Sequence, residues 1–510
     1  MAKKVVDRSE ERVVLRVALL SRLLLVTLIA FWRLVFPPYD TSASLNPSCL
    51  SASAGVQLSR SSAIRWPRIG VAIEASVVWD GVYFVRIAEC GYEYEQTYAF
   101  FPLLPACISI LSRSLFAPLV PLIGYRAVLA LSGYLLNNLA FSLAAIFFYR
   151  ISLLVLKDAA AALRASVLFC FNPASVFYSS IYSESLYALF SLGGIYYLFS
   201  GENIAAMLLL VVSGSARSNG ALNAGYFCFQ ALRHTCDAIA HKKKFIYAAK
   251  EIVTGAIYSS LIFMPYILYQ RHGYLNICLD GTNDLRPWCK KRIPHLYGFL
   301  QSHYWGVGFL RYFQVKQLPN FLLASPILSL TVGSIIHYCT LLKEAYWTSL
   351  VALLSLHEKN NVAPVHTSIE TNKSSNAISA LRNSLSSQND KGNNMTKWRE
   401  LRERKANVSE CSQDLRYLDK VPPSKRGLDL ILVCPFIVHL IFMTFTAFFV
   451  MHVQVSTRFL SASPPIYWFA SHLLVSTRTS CRRWGYLIRV YFASYVLLGS
   501  LLFSTFYPFT

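Results

Sequence analysis

The chain has 510 residues, of which 55% are hydrophobic and 15% charged, with a mean hydropathy of +0.41; this excludes an ordinary soluble globular protein. Its net charge of +22 would suit a nucleic-acid binder. However, the Lys and Arg fall in short clusters between apolar stretches (Lys242 to Lys244, Lys290 to Arg292, Arg482 and Arg483). No basic stripe with interleaved aromatics appears, so membrane orientation explains the charge and no nucleic-acid partner is expected.

In chain order, apolar stretches long enough to cross a bilayer run from Val13 to Phe36, Tyr98 to Leu119, Arg126 to Leu156, Val167 to Phe199, Ile204 to Phe229, Phe245 to Tyr269, Leu318 to Leu342, Leu428 to Val453 and Leu487 to Phe506. Some are long enough to be two, which predicts an all-α polytopic membrane protein with roughly nine to twelve transmembrane helices. Lys3, Lys4, Arg8 and Arg12 precede the first stretch, which is itself interrupted by Arg16, Arg22 and Arg33 and followed by no small-residue cleavage site. That pattern predicts a cytosolic N-terminus and an uncleaved anchor, and it places the following loop, residues 37–98, on the far side of the membrane.

The organisation expected is a transmembrane core over 1–356 with its catalytic loop at 37–98, a polar disordered insert over 357–427, and C-terminal spans over 428–510. The insert, His357 to Gly427, is rich in Asn, Ser, Lys and Glu, too polar to bury a core and too long for an ordinary loop. Its Lys and Arg excess predicts a cytosolic location, where sequons at Asn372, Asn394 and Asn407 would stay unmodified. The twelve Cys form no CxxC pair or metal-ligand spacing, so neither a zinc site nor a dense disulfide framework is indicated. Cys278 and Cys289 share a polar loop and would pair if that loop is lumenal.

Four polar islands interrupt the apolar sequence. The first is WDGVYFVRIAECGYEYEQTYAFFPLLP, Trp79 to Pro105, with Asp80, Glu93 and Glu95 beside aromatic residues. A carboxylate at the edge of a membrane span is costly unless it faces a cavity or a partner, so it marks a candidate site. The second, FNPASVFYSSIYSESLY, carries Asn172, Tyr182, Ser183 and Glu184; the third, GSARSNGAL, carries Arg217, Ser218 and Asn219; the fourth, MHVQVSTRFLSASPPIYW, carries His452, Gln454, Arg458 and Ser463. Each has a structural reading as well. Asn172 can satisfy backbone groups freed by Pro173, Glu184 can bury its charge against Arg217, Arg458 can snorkel, and His452 can be a packing residue. Taken together, carboxylates, guanidinium groups and amides fit a reaction between a hydroxyl acceptor and a phosphate-bearing donor. A carboxylate takes the hydroxyl proton, and Arg steadies the departing phosphate. The aromatic stretch from Arg271 to Gly308 suits the membrane interface, as an anchor or as a cap over a sugar or lipid headgroup.

These islands, together with HYWGVGFLRYFQVKQLPNFLLASP and in this order from about Arg12 to the C-terminus, resemble the PIG-V mannosyltransferase family. The resemblance implies a multi-pass endoplasmic reticulum enzyme of the GT-C glycosyltransferase class with a lumenal site. Such an enzyme would take mannose from dolichyl phosphate mannose and add the second mannose of the glycosylphosphatidylinositol (GPI) precursor, in α1,6 linkage. By motif match the base is Asp80, with Glu95 as a second catalytic carboxylate. Glu93, Tyr182, Glu184, Arg217, Asn219, His452 and Arg458 are the expected substrate-binding residues. No cofactor is expected and no essential divalent metal, because a monophosphate leaving group can be neutralised by Arg. The expected partners are the lipid-linked donor, the GPI-precursor glycolipid, endoplasmic reticulum lipids and an accessory membrane subunit if one is needed. The rival readings are another dolichyl-phosphate-sugar transferase, acting on N-glycan precursors or protein hydroxyls, and a non-catalytic transporter, against which the absence of repeated halves argues.

Overall fold

The computed structural model describes residues 8–37, 49–50, 64–242, 245–279, 286–361, 430–475 and 479–507. The polar insert from 362 onward, with its three sequons, and most of the segment between 38 and 63 lie outside the described residues. Every regular element among the described residues is a helix. Six of them are long and apolar enough to cross a membrane: Arg8–Val35, Tyr125–Leu156, Phe245–Cys278, Val315–Trp347, Leu430–Phe449 and Arg483–Ser504. A seventh is added if Leu103–Arg113 and Ala117–Ile123, bent by 66° at their break, count as one span.

The expectation is roughly nine to twelve spans; other apolar stretches are interrupted, and the polar islands are the reason. The stretch read as Val167 to Phe199 breaks into Ala159–Cys170, Ser175–Ser179 and Glu184–Ser200, and that read as Ile204 to Phe229 breaks at Arg217 into Asn203–Ala216, a 3₁₀ turn over Ser218–Asn223 and Ala224–Lys242. At the first break Pro173 has no N–H to give, and the Asn172 side chain replaces what is lost, donating to the Phe169 carbonyl at 2.8 Å and accepting from the Ala174 N–H at 2.9 Å. At the second break Gly220 lies so close to the preceding helix end that a Cβ would stand 2.4 Å from the Ser213 carbonyl oxygen. No side chain fits there, which is why the turn reads Ser-Asn-Gly.

The Tyr125–Leu156 helix is the central post, packed against the first helix, the Ala159–Cys170 helix and the Glu184–Ser200 helix. Its face is aromatic: Phe148 stacks on Phe169 at 4.6 Å, Phe141 on Phe169 at 5.2 Å, and Tyr467 stands edge-on to both Phe148 and Phe169 at 5.5 Å. Two adjacent amides on this post anchor the broken segment. Asn137 donates to the carbonyls of Ser180 and Tyr182, and Asn138 to that of Ser179. The post therefore fixes the turn that leads into Glu184.

Arg22, halfway along the first helix, reaches the same segment from the other side. It is 3% exposed and its guanidinium donates to the carbonyls of Cys170 and Ser175 and to the hydroxyls of Ser175 and Ser179, at 2.9 to 3.2 Å. It also lies 3.9 Å from the centre of the Phe141 ring. A carbonyl at a broken helix end has no water to turn to inside a membrane; Arg22 supplies the missing donors, and the fork geometry needs a guanidinium. Arg22→Met is expected to destabilise the purified protein by about 3 kcal/mol through unpaired carbonyls, with Arg22→Lys recovering only part. A thermal-unfolding series in detergent checks this, and an unchanged midpoint for Arg22→Met would refute it.

Candidate active site

The broken helix ends converge on one line of charge. Asp80 opens the Asp80–Cys90 helix, and its backbone N–H donates to the Tyr182 hydroxyl at 3.2 Å. Its carboxylate accepts from Arg458 at 2.9 Å. Arg458 sits in the short turn Ser456–Phe459, and its Nε lies 3.2 Å from a Glu184 oxygen. The same oxygen of Glu184 is ion-paired with Arg217. Two carboxylates and two guanidinium groups thus alternate, and the line is neutral overall.

Position along the line separates the two acids. The Glu184 side chain is 3% exposed and that of Asp80 35%, so Asp80 is the carboxylate a substrate can reach, while Glu184 clamps the two arginines. Glu184 also lies in the first turn of its helix, where the helix dipole favours a negative charge. Phe177 and Tyr182 flank the Arg458 guanidinium, each with its ring centre at 5.3 Å. Burial works against the charge on Arg458, but Glu184 and Asp80 outweigh it and hold its pKa above the usual guanidinium value. Burial, then the nearby Asp80 charge, push the Tyr83 hydroxyl up.

The line also has unused capacity. Both oxygens of Glu184, Nε of Arg458 and Oδ1 of Asn219 are buried without a hydrogen bond of normal geometry; the Glu184 contacts are ion pairs rather than aligned hydrogen bonds. Buried polar atoms are nearly always bonded, and a cluster of exceptions beside a reachable carboxylate is where a ligand's hydroxyls and charges would bind. Next to Asn219, the Ser218 hydroxyl donates to the Tyr297 hydroxyl at 2.9 Å, tying this turn to the aromatic segment above it.

Glu93, Glu95 and His452 are engaged elsewhere. Glu95 accepts from the Trp288 indole at 2.7 Å and the Tyr304 hydroxyl at 2.9 Å, with Arg286 at 3.8 Å. Both of its oxygens therefore hold the aromatic segment in place, and none of these contacts reaches the Asp80 line. Glu93 pairs with Arg86 at 2.7 Å and accepts from the Leu50 N–H. The His452 ring donates to the Trp305 carbonyl and stacks on Tyr312 at 4.5 Å, while the Tyr312 hydroxyl donates to Gln454 at 2.7 Å. His452 is thus a joint between two loops and does not join the Asp80 line.

A family model described as Mannosyltransferase (PIG-V) matches residues 9–510. The chain belongs to this family. It is a mannosyltransferase, an enzyme of the glycosyltransferase kind. Among its relatives, the mouse GPI alpha-1,6-mannosyltransferase 2 is 28% identical over 488 residues, covering 91% of this chain and 84% of the mouse protein. The human GPI alpha-1,6-mannosyltransferase 2 is 27% identical, covering 90% and 83% of the two chains. The Drosophila melanogaster GPI mannosyltransferase 2 is 28% identical, covering 85% and 86%.

Several parts of this PIG-V site are not apparent in the sequence. Cys49 pairs with Cys90 at the far end of the Asp80 helix, and Cys278 with Cys289 within the aromatic segment. The first bridge joins residues 41 apart and carries no spacing signal, whereas the second, 11 apart in one loop, is the pairing the sequence suggests. Cys49, Cys90 and Glu93 bring potential metal-ligating atoms together, but both sulfurs are committed to the disulfide. Asn137 and Asn138 are further residues that the four islands do not include; two adjacent amides inside an apolar helix are the signal that marks them.

Proposed function

We propose that the chain is an α1,6-mannosyltransferase of GPI-anchor biosynthesis, adding the second mannose of the precursor from dolichyl phosphate mannose at the lumenal face of the endoplasmic reticulum membrane. The observation that carries the chemistry is the partly exposed Asp80 carboxylate ion-paired with the largely buried Arg458. The names of the mouse and human relatives support the acceptor and the linkage.

In this reading the 6-hydroxyl oxygen of the first mannose attacks the anomeric carbon of the donor mannose, and its proton passes to Asp80. The bond from that carbon to the phosphate oxygen breaks, and the electron pair leaves with dolichyl phosphate. A β-linked donor and an α-linked product require a single displacement with inversion. Arg458, with Arg217 behind Glu184, meets the charge that grows on the leaving phosphate. A phosphate arriving at Arg458 competes with Asp80 for the same guanidinium, so donor binding would free the base for the acceptor.

Two features support the lumenal side. The Cys49–Cys90 bridge closes the Asp80 helix, and the Cys278–Cys289 bridge lies in the segment that packs on Tyr98 and Phe101. Disulfides persist in oxidising compartments, and one of the two closes the helix that Asp80 opens. A GT-C architecture belongs to the same reading, with the broken segments 159–200 and 203–242 supplying crossings beyond the six unbroken helices. So does catalysis without an essential metal, since Asp80 faces Arg458 while Glu95 faces Trp288 and Tyr304.

The test is rescue of cells lacking GPI mannosyltransferase 2, reading surface GPI-anchored protein and the glycolipid that accumulates. Rescue, with loss of the one-mannose intermediate, is the expected result. A well-expressed chain that leaves that intermediate in place overturns the acceptor assignment.

A further inference from the structure

Four residues other than glycine have positive φ among the described residues, and two of them touch: Trp79 at 54°, immediately before Asp80, and Phe506 at 62°, just past the last helix. Their rings pack at 5.6 Å. We propose that the C-terminal end of the last helix is a positioning strut for the base, in which Phe506 and the Phe503 carbonyl hold Trp79 in a strained conformation that aims Asp80 at Arg458. This proposal rests on the reading of Asp80 as the base.

The last helix, Thr479–Ser504, ends in a cap where the Tyr507 N–H donates to the Leu502 carbonyl and the Phe506 N–H approaches that of Phe503. The left-handed position in such a cap is one that glycine normally fills. A Phe there gives up backbone stability, and the same is true of Trp79, whose φ and ψ of 54° and −133° suit glycine far better than an indole. Strain of this kind persists only where the surroundings over-determine it, and it collects at functional sites.

The surroundings here do over-determine it. The Trp79 indole donates to the Phe503 carbonyl at 3.1 Å, one of the helix-end carbonyls left without an intrahelical partner. The Phe503 ring stands against Phe177 at 5.4 Å and Tyr182 at 5.7 Å, the two rings that flank Arg458. The strut therefore touches the neighbours of both halves of the Asp80–Arg458 pair: Trp79, which precedes Asp80, and the two rings beside Arg458. The first helix fastens it in turn, with Trp32 donating to the Ser500 hydroxyl and Arg33 to the Ser504 carbonyl, both at 3.0 Å. Phe503 and Phe506 are 3% and 8% exposed, so lipid contact does not account for their ring positions.

The experiment measures kcat and donor KM for full-length purified protein carrying Phe506→Ala, Phe506→Gly, Phe506→Tyr, Trp79→Phe and the double change Trp79→Phe with Phe506→Ala, normalised to folded protein. Glycine suits the left-handed position, so Phe506→Gly should unfold at a higher temperature than Phe506→Ala. Both should nevertheless lose about tenfold or more in kcat with KM within about twofold, because a small misplacement of a reacting group is enough for such a loss. Phe506→Tyr should recover most of the turnover, and the double variant should be no slower than the slower single variant, since both remove one strut. Unchanged kcat in Phe506→Ala and Phe506→Gly, or effects of Trp79→Phe and Phe506→Ala that simply multiply, would overturn the proposal. Asp80→Asn run alongside keeps the two readings apart. Activity retained there defeats the base assignment, whereas an inactive Asp80→Asn beside fully active Phe506 variants defeats the strut alone.

Discussion

Asp80→Asn is expected to give a folded, membrane-inserted protein with turnover reduced by about 10² to 10⁴, the usual contribution of a positioned general base. The amide keeps the shape of the side chain and can still accept from Arg458 through its oxygen, so the arrangement around Arg458 should survive. What disappears is the acceptor for the hydroxyl proton. Donor KM should stay level or fall, because Asn competes with the donor phosphate for Arg458 less strongly than a carboxylate does. Steady-state kinetics with lipid-linked donor, together with the thermal midpoint of the variant, checks each part. A normally folded variant with full turnover would remove Asp80 from the reaction, and lost turnover accompanied by a greatly raised KM would make it a donor-binding group instead.

The residues most legible in the sequence are those under the harshest physical constraint. A charge placed among apolar spans must find a partner, so Asp80, Glu184, Arg217 and Arg458 stand out as islands by composition alone, and they meet in one line. The same constraint predicts the pairing of Glu184 with Arg217. Glu95 and His452 look equivalent to them in the sequence because a carboxylate or imidazole beside aromatics carries no mark of which distant group it will meet. Trp288 reaches Glu95 across 193 residues of sequence, and that contact is set by how the aromatic segment folds back. Helix breaks are legible as Pro173 and Gly220 but not as breaks in a span, since the apolar composition continues through them. Strain at Trp79 and Phe506 cannot be read at all, because a residue that opposes its backbone preference gives no local signal.

Glu184→Gln should be the most destabilising single change in the site. Glu184 lies between Arg217 and Arg458, and its loss leaves two largely buried guanidinium groups with Asp80 as the one carboxylate of the line, paired with Arg458 and not with Arg217. Removing one partner of a buried ion pair typically costs about 3 to 5 kcal/mol, because the remaining charge keeps its desolvation penalty and loses its compensation. Glutamine fills the same volume, so the effect would isolate charge from packing. Adding Arg217→Gln to the variant should restore part of the stability by removing one of the two uncompensated charges, and the coupling between the changes should be far from additive. Arg458→Lys probes the other side of Glu184. A compact ammonium lacks the fork that reaches Asp80 and Glu184 together, so turnover should fall even where the protein stays folded. Thermal unfolding and turnover of these variants separate the two duties proposed for the line, holding the charges in place at Glu184 and meeting the charge of the leaving phosphate at Arg458. If Glu184→Gln kept the wild-type midpoint, the buried line would not be what holds the broken helices together at this site.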